Sequence, residues 1–268
     1  MAQKPSFEEF KASCLEAIGL PDIPTAEKAH RMNMLAASAE ANSSHIWAGV
    51  LDTLKNMGSE YSGGRSELLF YPADAASDLK IHTKPLESTL LKIYRNNVIY
   101  NRNYPEAPRA GLIDPVDMYS AIDDLLRTRI VCKYMDGPKF VCHKLEAFCQ
   151  AQGAEYNHRS LSTDAGYYAW HFYVRFSAPV NIAGNIKDCS MWIEIQITTQ
   201  LAEVITSLTH SIYEERRVSG GNKGEWKWEA ESPEFKSAYL GHGLHLLEGV
   251  IQSFKDDMIK PKNEGSAE

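Results

Sequence analysis

The chain has 268 residues, 44% of them hydrophobic and 24% charged, which suffices for one α/β domain with a full core. Its formal net charge of −7 would repel nucleic acid as a whole, so any polyanion must be met by a local basic patch. No stretch reaches the roughly 18 apolar residues of a membrane helix, and the first 20 residues show no signal-peptide pattern. These features predict a soluble, cytoplasmic protein with no membrane partner.

The cysteines argue against a disulfide framework or a zinc site. Five are present, an odd number, and none belongs to a CxxC pair. We expect them to be reduced core residues. They are Cys14, Cys132, Cys142, Cys149 and Cys189.

The N-terminal part of the chain, residues 1–66, predicts a helical segment packed on the main domain. A capping box at Ser6 begins a short helix that Gly19 ends. A second, longer helical pattern runs from 25 to about 57, and the stretch 62–65 breaks it.

Helices and strands interleave from residue 67 to residue 260. This order predicts one α/β (α+β) domain, with a mixed sheet of about five strands flanked by helices. The predicted strands span 128–134, 154–160, 166–177 and 190–197, and short apolar runs precede them at 68–71 and 79–84. One predicted helix begins at Pro85, and the others span 116–126, 137–152, 199–217 and 233–258. We expect the glycine-containing loop 218–228 to be mobile and residues 261–268 to form a disordered tail.

A basic segment lies between residues 80 and 109. It holds six lysines and arginines against two glutamates, which makes it a candidate for binding phosphates. A charge run is also typical of a solvated face, so the composition alone does not decide between the two. The basic residues are Lys80, Lys84, Lys92, Arg95, Arg102 and Arg109.

Three predicted strands each carry one polar face, because successive residues of a strand point to opposite sides of the sheet. Glu194 is an acid in mid-strand, where acids are depleted. Asp124 comes just before another of these strands. The polar faces comprise Trp192, Glu194 and Gln196 in one strand, Tyr167, His171, Tyr173 and Arg175 in the second, and Arg127, Arg129 and Lys133 in the third.

If those faces coincide in one cleft, the sheet offers the groups needed for phosphoryl transfer. Asp124 and Glu194 would bind a divalent ion, arginines would bind phosphate oxygens, and Tyr167 would stack on a base. Each residue by itself also fits a structural role, on a solvated face or in the core. The coincidence of three polar faces favours a functional site.

Other motifs for nucleotide or metal chemistry are missing or weak. The sequence has no GxxxxGK[ST], no GxGxxG after a strand and no GxSxG. His242 and His245 have metal-ligand spacing, but they lie in an apolar helix and no acidic or cysteine partner stands out. We therefore expect these histidines to pack rather than to bind metal.

Four segments, in order, resemble the signatures of the RelA/SpoT alarmone synthetase domain, and the resemblance covers roughly residues 68–258. They are His82-Thr-Lys84-Pro-Leu-Glu-Ser88-Thr-Leu-Leu-Lys92, Asp124-Leu-Leu-Arg127-Thr-Arg129, Gly166-Tyr167-Tyr168-Ala169-Trp170-His171 and Glu194-Ile-Gln196-Ile-Thr198-Thr199. The family reads Arg-x-Lys-x-x-x-Ser-x-x-x-Lys, Asp-x-x-Gly-x-Arg, Gly-Tyr-Arg-Ser-Leu-His and Glu-x-Gln-Ile-Arg-Thr there. The resemblance implies a nucleotidyltransferase-like synthetase domain.

The resemblance also implies a magnesium-dependent pyrophosphokinase, in which a 3′-hydroxyl of the acceptor attacks the β-phosphorus of ATP and AMP leaves. Asp124 and Glu194 would be the catalytic residues and would bind Mg²⁺, and Glu194 would also help to deprotonate the attacking hydroxyl. The implied ATP-binding residues are Lys84, Ser88, Lys92, Arg129 and His82, which would stack on adenine. The implied acceptor-binding residues are Tyr167, His171 and Gln196, with Tyr167 stacking on the base.

Several positions depart from the family pattern, among them Tyr168, which replaces an arginine on the apolar side of its strand. His82 and Thr198 replace arginines, and Ala165 replaces an asparagine that reads guanine in many members. The His-Asp pair of the family's hydrolase domain is missing, so hydrolysis of the product is not expected.

The acceptor and the partners stay open at this stage. The product would be of the (p)ppGpp or the (p)ppApp type. Some short family members are toxins that modify an RNA 3′ end and are held by an antitoxin, so an antitoxin or a second copy of the chain are partners to consider. The rival class is a catalytically inactive nucleotide-binding regulator, although the retention of both Asp124 and Glu194 argues against it.

Overall fold

The computed structural model describes residues 3–63, 67–77, 79–109, 111–219 and 225–259, and for residues 210–219 it describes the backbone alone. The helices are α1 (Phe7–Ile18), α2 (Ile23–Ser43), α3 (His45–Ser62), α4 (Leu86–Tyr94), α5 (Met118–Ala121), α6 (Gly137–Gln152), α7 (Gln200–Ser219) and α8 (Pro233–Ile259). The strands are β1 (His82–Thr83), β2 (Leu126–Cys132), β3 (Tyr156–Ser162), β4 (Tyr168–Ile182) and β5 (Asn185–Thr199). The expected tail and the centre of the expected mobile loop lie outside the described residues.

The described strands form one mixed sheet in the order β1-β2-β5-β4-β3, which confirms the predicted fold class. β2 runs parallel to β5, and the other neighbours are antiparallel. β4 and β5 make a long hairpin that turns at Ala183 and Gly184, whose φ angles are 48° and 87°. In the sheet order, β5 lies beside β2 and β4 lies beside β3, so the polar faces of this hairpin adjoin those of β2 and β3.

The long helix expected over 25–57 is wrong, because the chain breaks there into α2 and α3. Ser44, between them, has extended backbone angles (φ −71°, ψ 138°), and its hydroxyl accepts the N–H of Trp47. A serine in this role ends one helix and caps the next. The hydrophobic pattern continues through the break, so periodicity alone did not reveal it.

The helix expected over 116–126 is also wrong. A 3₁₀ turn (Pro115–Asp117) and the four-residue helix α5 replace it, and Ile122 is already extended (φ −98°, ψ 123°). Ile122 and Leu125 are both buried in the core, so the chain must straighten to place them on either side of a pair of aspartates. Tertiary burial overrides the local helical pattern.

The N-terminal helices share the core of the sheet. Trp47, Val50 and Leu54 of α3 are buried in the same apolar cluster as Leu145 of α6 and Phe172 of β4. α2 packs on β4, and α3 packs on α6. All five cysteines are free and buried, as predicted. None of the described helices is long and apolar enough to span a bilayer.

Candidate functional site

The strand register brings the three predicted polar faces onto one side of the sheet. Two transverse rows of paired residues cross it, because paired residues of neighbouring strands lie side by side on the same face. The first row is His82, Arg127, Glu194, Tyr173 and Asn157, and the second is Arg129, Gln196, His171 and Arg159. We call this side the polar face. The opposite side is apolar, with Phe172, Ile193 and Ile195 no more than 1% exposed.

Two lysines and two aspartates form an ion-pair cluster where β2 begins. Lys84 Nζ lies 2.8 Å from Asp124 Oδ2, and Lys92 Nζ lies 2.9 Å from Asp124 Oδ1. Lys92 Nζ also lies 2.5 Å from Asp123 Oδ1. We call these four residues the lysine–aspartate cluster. Lys84 is 5% exposed, so its charge depends on Asp124 for compensation.

Burial and charge compete in this cluster. Burial acts to raise the pKa of Asp124, but the Lys92 and Lys84 ammonium groups outweigh it and hold the pKa of that carboxyl well below its usual range. Burial would lower the pKa of Lys92, yet Asp124 and Asp123 raise the pKa above its ordinary value. For Lys84 burial dominates and lowers the pKa, because Asp124 offsets it only in part. Asp124 is therefore ionised at neutral pH.

Glu194 is hydrogen-bonded by an imidazole, a phenol hydroxyl and an amide. It is 3% exposed, and its Oε1 lies 2.7 Å from His171 Nδ1 and 3.1 Å from Tyr173 Oη. Its Oε2 accepts from Gln196 Nε2 at 2.9 Å. His171 Nε2 in turn lies 3.0 Å from Tyr167 Oη. We call Glu194 with these four partners the glutamate cluster, and it contains every residue predicted to bind the acceptor.

Arg159 of β3 joins the two clusters. One of its terminal nitrogens, Nη2, lies 3.2 Å from Asp123 Oδ2 and donates to Tyr173 Oη at 2.6 Å. The guanidinium also lies over the Tyr173 ring, 5.1 Å from its centroid. Since Tyr173 contacts Glu194, one continuous chain of polar contacts runs from Lys84 and Lys92 to Tyr167.

The remaining predicted residues lie at the edges of this network. Arg129 donates to Gln196 Oε1 at 3.1 Å and makes two 2.9 Å bonds to Glu203, so the structure places it beside the glutamate cluster rather than beside the lysines. Ser88 lies in α4 one turn before Lys92, on the same side of the helix. His82 is exposed and aligned with Arg127, without a hydrogen bond to either cluster among the described contacts.

Helix α8 holds the turn that precedes Tyr167. A Cβ added at Gly166 would lie 2.4 Å from the carbonyl oxygen of Ala238, so the turn and the helix touch backbone to backbone. His242 Nδ1 lies 2.8 Å from Tyr168 Oη, and the His245 ring stacks on Tyr168 at 3.6 Å. The two histidines therefore pack against Tyr168, as expected from the apolar helix around them.

Several residues of the network were not assigned a role from the sequence. Tyr173 lies on the predicted polar face but matches no signature, and nothing in the sequence marks Asp123 apart from its neighbour Asp124. Arg159 carried a signal, an arginine in mid-strand on the polar side of β3. Glu203 had no signal, because only the fold brings α7 next to Arg129.

The donor set suits magnesium bound together with substrate phosphates. Asp124 and Glu194 supply the hard carboxylate oxygens that Mg²⁺ prefers, usually one or two from the protein and the rest from phosphates and water. Among the described residues no group of three or more His, Cys, Asp or Glu could hold a metal ion by itself. The residues thus fit a nucleotide-dependent magnesium site and not a closed protein cage.

A pocket open to solvent is lined by no residue of either cluster. It is bounded by the end of α1, by α2 and by the tip of the β4–β5 hairpin, and none of the predicted site residues lines it. The polar face, by its residues and charges, remains the place where chemistry is expected.

Comparisons with known proteins bear on the fold. No protein-family model matches the chain, and no curated protein sequence matches it significantly. Among solved structures, the small alarmone synthetase 1 from Bacillus subtilis is similar, with a TM-score of 0.53 and 15% identity over 88% of this chain and 100% of that chain. The structure of that enzyme bound to its product pppGpp has a TM-score of 0.51 and 16% identity over 87% of this chain and 95% of that chain. The chain thus has the RelA/SpoT-type small synthetase fold that the resemblance implied.

Proposed function

We propose that this chain is a magnesium-dependent pyrophosphokinase that transfers the β,γ-pyrophosphate of ATP to the 3′-hydroxyl of a nucleotide acceptor. The observation that carries the proposal is a pair of carboxylates joined by one chain of polar contacts, Asp124 among lysines and Glu194 among a tyrosine–histidine set. The shared fold supports it, since the neighbour of that fold is an alarmone synthetase seen with its product pppGpp.

The lysine–aspartate cluster suits the triphosphate of ATP. In the free protein Asp124 and Asp123 neutralise Lys84 and Lys92. A polyphosphate carries more negative charge than the aspartates, so it would draw the lysines onto its oxygens and release Asp124. Ser88, on the Lys92 side of α4, would donate its hydroxyl to the same phosphates. Asp124 and Glu194 would then hold Mg²⁺, which would supply charge neutralisation on the transferred group.

The glutamate cluster suits the acceptor. With Glu194 ionised its oxygens can only accept, so His171 Nδ1 donates to it and Nε2 is left to accept from the Tyr167 hydroxyl. This chain of contacts orients the Tyr167 ring for stacking on a base. Glu194 would take the proton of the attacking 3′-hydroxyl, with Gln196 keeping the carboxylate in place.

The acceptor is proposed to be a guanine or adenine nucleotide, giving a (p)ppGpp or (p)ppApp type product, with an RNA 3′ end as the alternative. An inactive nucleotide-binding regulator is the second candidate, and one observation favours it. Thr198 stands where the family has an arginine, so this position offers substrates no positive charge. It is 4% exposed, and its hydroxyl has no hydrogen-bond partner in the described part of the chain.

Incubation with γ-labelled ATP and Mg²⁺ tests the proposal. GDP, GTP, ADP, ATP and tRNA would be offered as acceptors, with Glu194→Gln as the matched inactive control. The proposal expects the label on one or more acceptors and AMP in equal amount. ATP binding without labelled product from any acceptor would instead support the regulator.

A further inference from the structure

A buried histidine of the N-terminal helices contacts the predicted ATP site. His30 lies in α2, is 3% exposed and belongs to none of the segments that resemble the synthetase signatures. Its Nε2 lies 2.8 Å from the main-chain carbonyl oxygen of Lys84. A carbonyl can only accept, so Nε2 carries the proton and donates.

The neighbours of His30 fix this arrangement. Its Nδ1 lies 3.2 Å from Tyr119 Oη and accepts from that hydroxyl when the ring is neutral. Asn33 Nδ2 donates to Tyr119 Oη at 3.1 Å and to the carbonyl of Asn181 at 2.9 Å, and Asn33 Oδ1 accepts the Asn181 N–H at 2.9 Å. Burial lowers the pKa of His30 and so favours the neutral ring, and the two hydrogen bonds select the tautomer. Both ring nitrogens therefore have one defined role each.

Among the described contacts, His30 is the hydrogen-bond donor to the main-chain carbonyl of Lys84. Lys84 lies between β1 and Pro85, outside any helix or strand. Its N–H donates to the carbonyl of Leu125 at 2.9 Å, and its C=O accepts from His30, so the main chain of Lys84 is held on both sides of its Cα. Because the side chain is buried, the position of Nζ beside Asp124 follows from where this backbone is held.

We propose that His30 is a positioning residue for Lys84, which makes the N-terminal helices a working part of the ATP site. This role rests on the proposed pyrophosphokinase function. Without the Nε2 donor, the buried carbonyl of Lys84 would lose its partner and the peptide would turn toward another. Nζ would then leave the position at which it meets phosphate.

The first experiment compares substitutions of His30 by titration with Mg²⁺ and a non-hydrolysable ATP analogue. His30→Leu removes the donor, and we expect the dissociation constant to rise about tenfold, the scale of one lost buried hydrogen bond. His30→Gln keeps an N–H donor and should recover most of the affinity. In turnover assays the change should fall on the KM for ATP more than on kcat.

Met34→Ala is the control for a purely structural role. Met34 lies one turn after His30 in α2, is 1% exposed and contributes only apolar packing. We expect this variant to lower the melting temperature at least as much as His30→Leu and to leave the ATP-analogue affinity within about twofold of wild type, because a thioether donates no hydrogen bond to the Lys84 carbonyl. An equal loss of affinity in Met34→Ala would overturn the proposal.

A double-mutant cycle with Lys84→Ala gives the decisive readout. If His30 acts through Lys84, adding His30→Leu to Lys84→Ala should not weaken analogue binding further. Additive losses would overturn the proposal. Tyr119→Phe keeps the His30–Lys84 bond and should bind the analogue nearly as wild type does, whereas a loss as large as that of Lys84→Ala would count against it. Wild type that binds the analogue through Lys84 but transfers no pyrophosphate would contradict the proposed function and leave the role of His30 testable.

Discussion

The two carboxylates predicted to be catalytic are stabilised by opposite means. Asp124 lies between two ammonium groups, whereas Glu194 accepts hydrogen bonds from a histidine, a tyrosine and an amide. Asp124 lies just before β2, and Glu194 lies in β5, the strand beside β2. The difference lies in the elements that supply the partners. Lys92 comes from α4 and Lys84 from the segment just before it, while β4 and β5 bring the hydroxyl, imidazole and amide groups.

Under the proposed function, this difference would match two chemical tasks. A carboxylate paired with lysines can exchange those cations with a phosphate, so the lysine–aspartate cluster would bind the triphosphate. A carboxylate held by groups that only orient it stays available as a base and a metal ligand, so the glutamate cluster would serve proton transfer. Breaking one cluster at a time should therefore give two distinct phenotypes.

The largest effect is expected from Glu194→Gln. The substitution keeps the shape but removes the base and one metal ligand, so we expect the rate of pyrophosphate transfer to fall by about a thousandfold or more. The melting temperature should change little, because the amide can still accept from Tyr173 and His171. Activity near wild type, or a collapse in melting temperature, would show that Glu194 has only a structural role.

Lys84→Ala and Lys92→Ala should each weaken the binding of ATP. Each removes a cation that would meet phosphate, and we expect the dissociation constant of the magnesium–ATP analogue to rise by roughly ten- to a hundredfold, the scale of one or two charge-assisted hydrogen bonds. Arg95→Ala, in the same basic segment, is the control and should change affinity less. If all three variants showed the same small change in a binding titration, the segment would be a solvated face.

Tyr167→Ala should weaken the binding of the acceptor and leave the binding of ATP unchanged. Loss of a stacking surface costs about 1–3 kcal/mol per base, and it should raise the KM of every acceptor alike, because each base offers a π-face. Ala165 offers no hydrogen bond to a base, so we expect no strong preference for guanine over adenine. Competition between equal GDP and ADP measures this. A guanine preference of about a hundredfold would mean that another residue reads the base, with Asp164 the first to test.

The smallest effect is expected in how the stabilisation by Asp124 depends on pH. Asp124 has a lower pKa folded than unfolded, so its contribution to stability is present above the unfolded value of about 4 and is lost as pH falls toward the folded value. The difference in unfolding free energy between wild type and Asp124→Asn should thus be constant at neutral pH and should shrink below about pH 4. Urea titrations at several pH values measure it, and a difference that grows in acid would contradict this assignment.

Much of the polar face was predictable because alternation along a strand is a local property. The polar faces of β2, β4 and β5 were assigned by counting residues, and the register confirms that they share one side. The breaks at Ser44 and Ile122 were missed, because both interrupt apolar patterns that continue on either side. The partners of Asp123 were missed as well, since Arg159 is 36 residues away and only the sheet order brings it near.

The sequence by itself determined which residues face which way, the mixed sheet flanked by helices, and the order of segments that resembles the alarmone synthetases. Those features follow from local periodicity and residue type, which do not depend on tertiary contacts. Only the tertiary structure decided that Lys84 and Lys92 pair with Asp124, that Glu194 is hydrogen-bonded by Tyr173 and His171, and that α2 reaches Lys84 through a histidine. These contacts join residues far apart in sequence, and they exist because buried polar groups must find partners wherever the packing of the core has brought the chain.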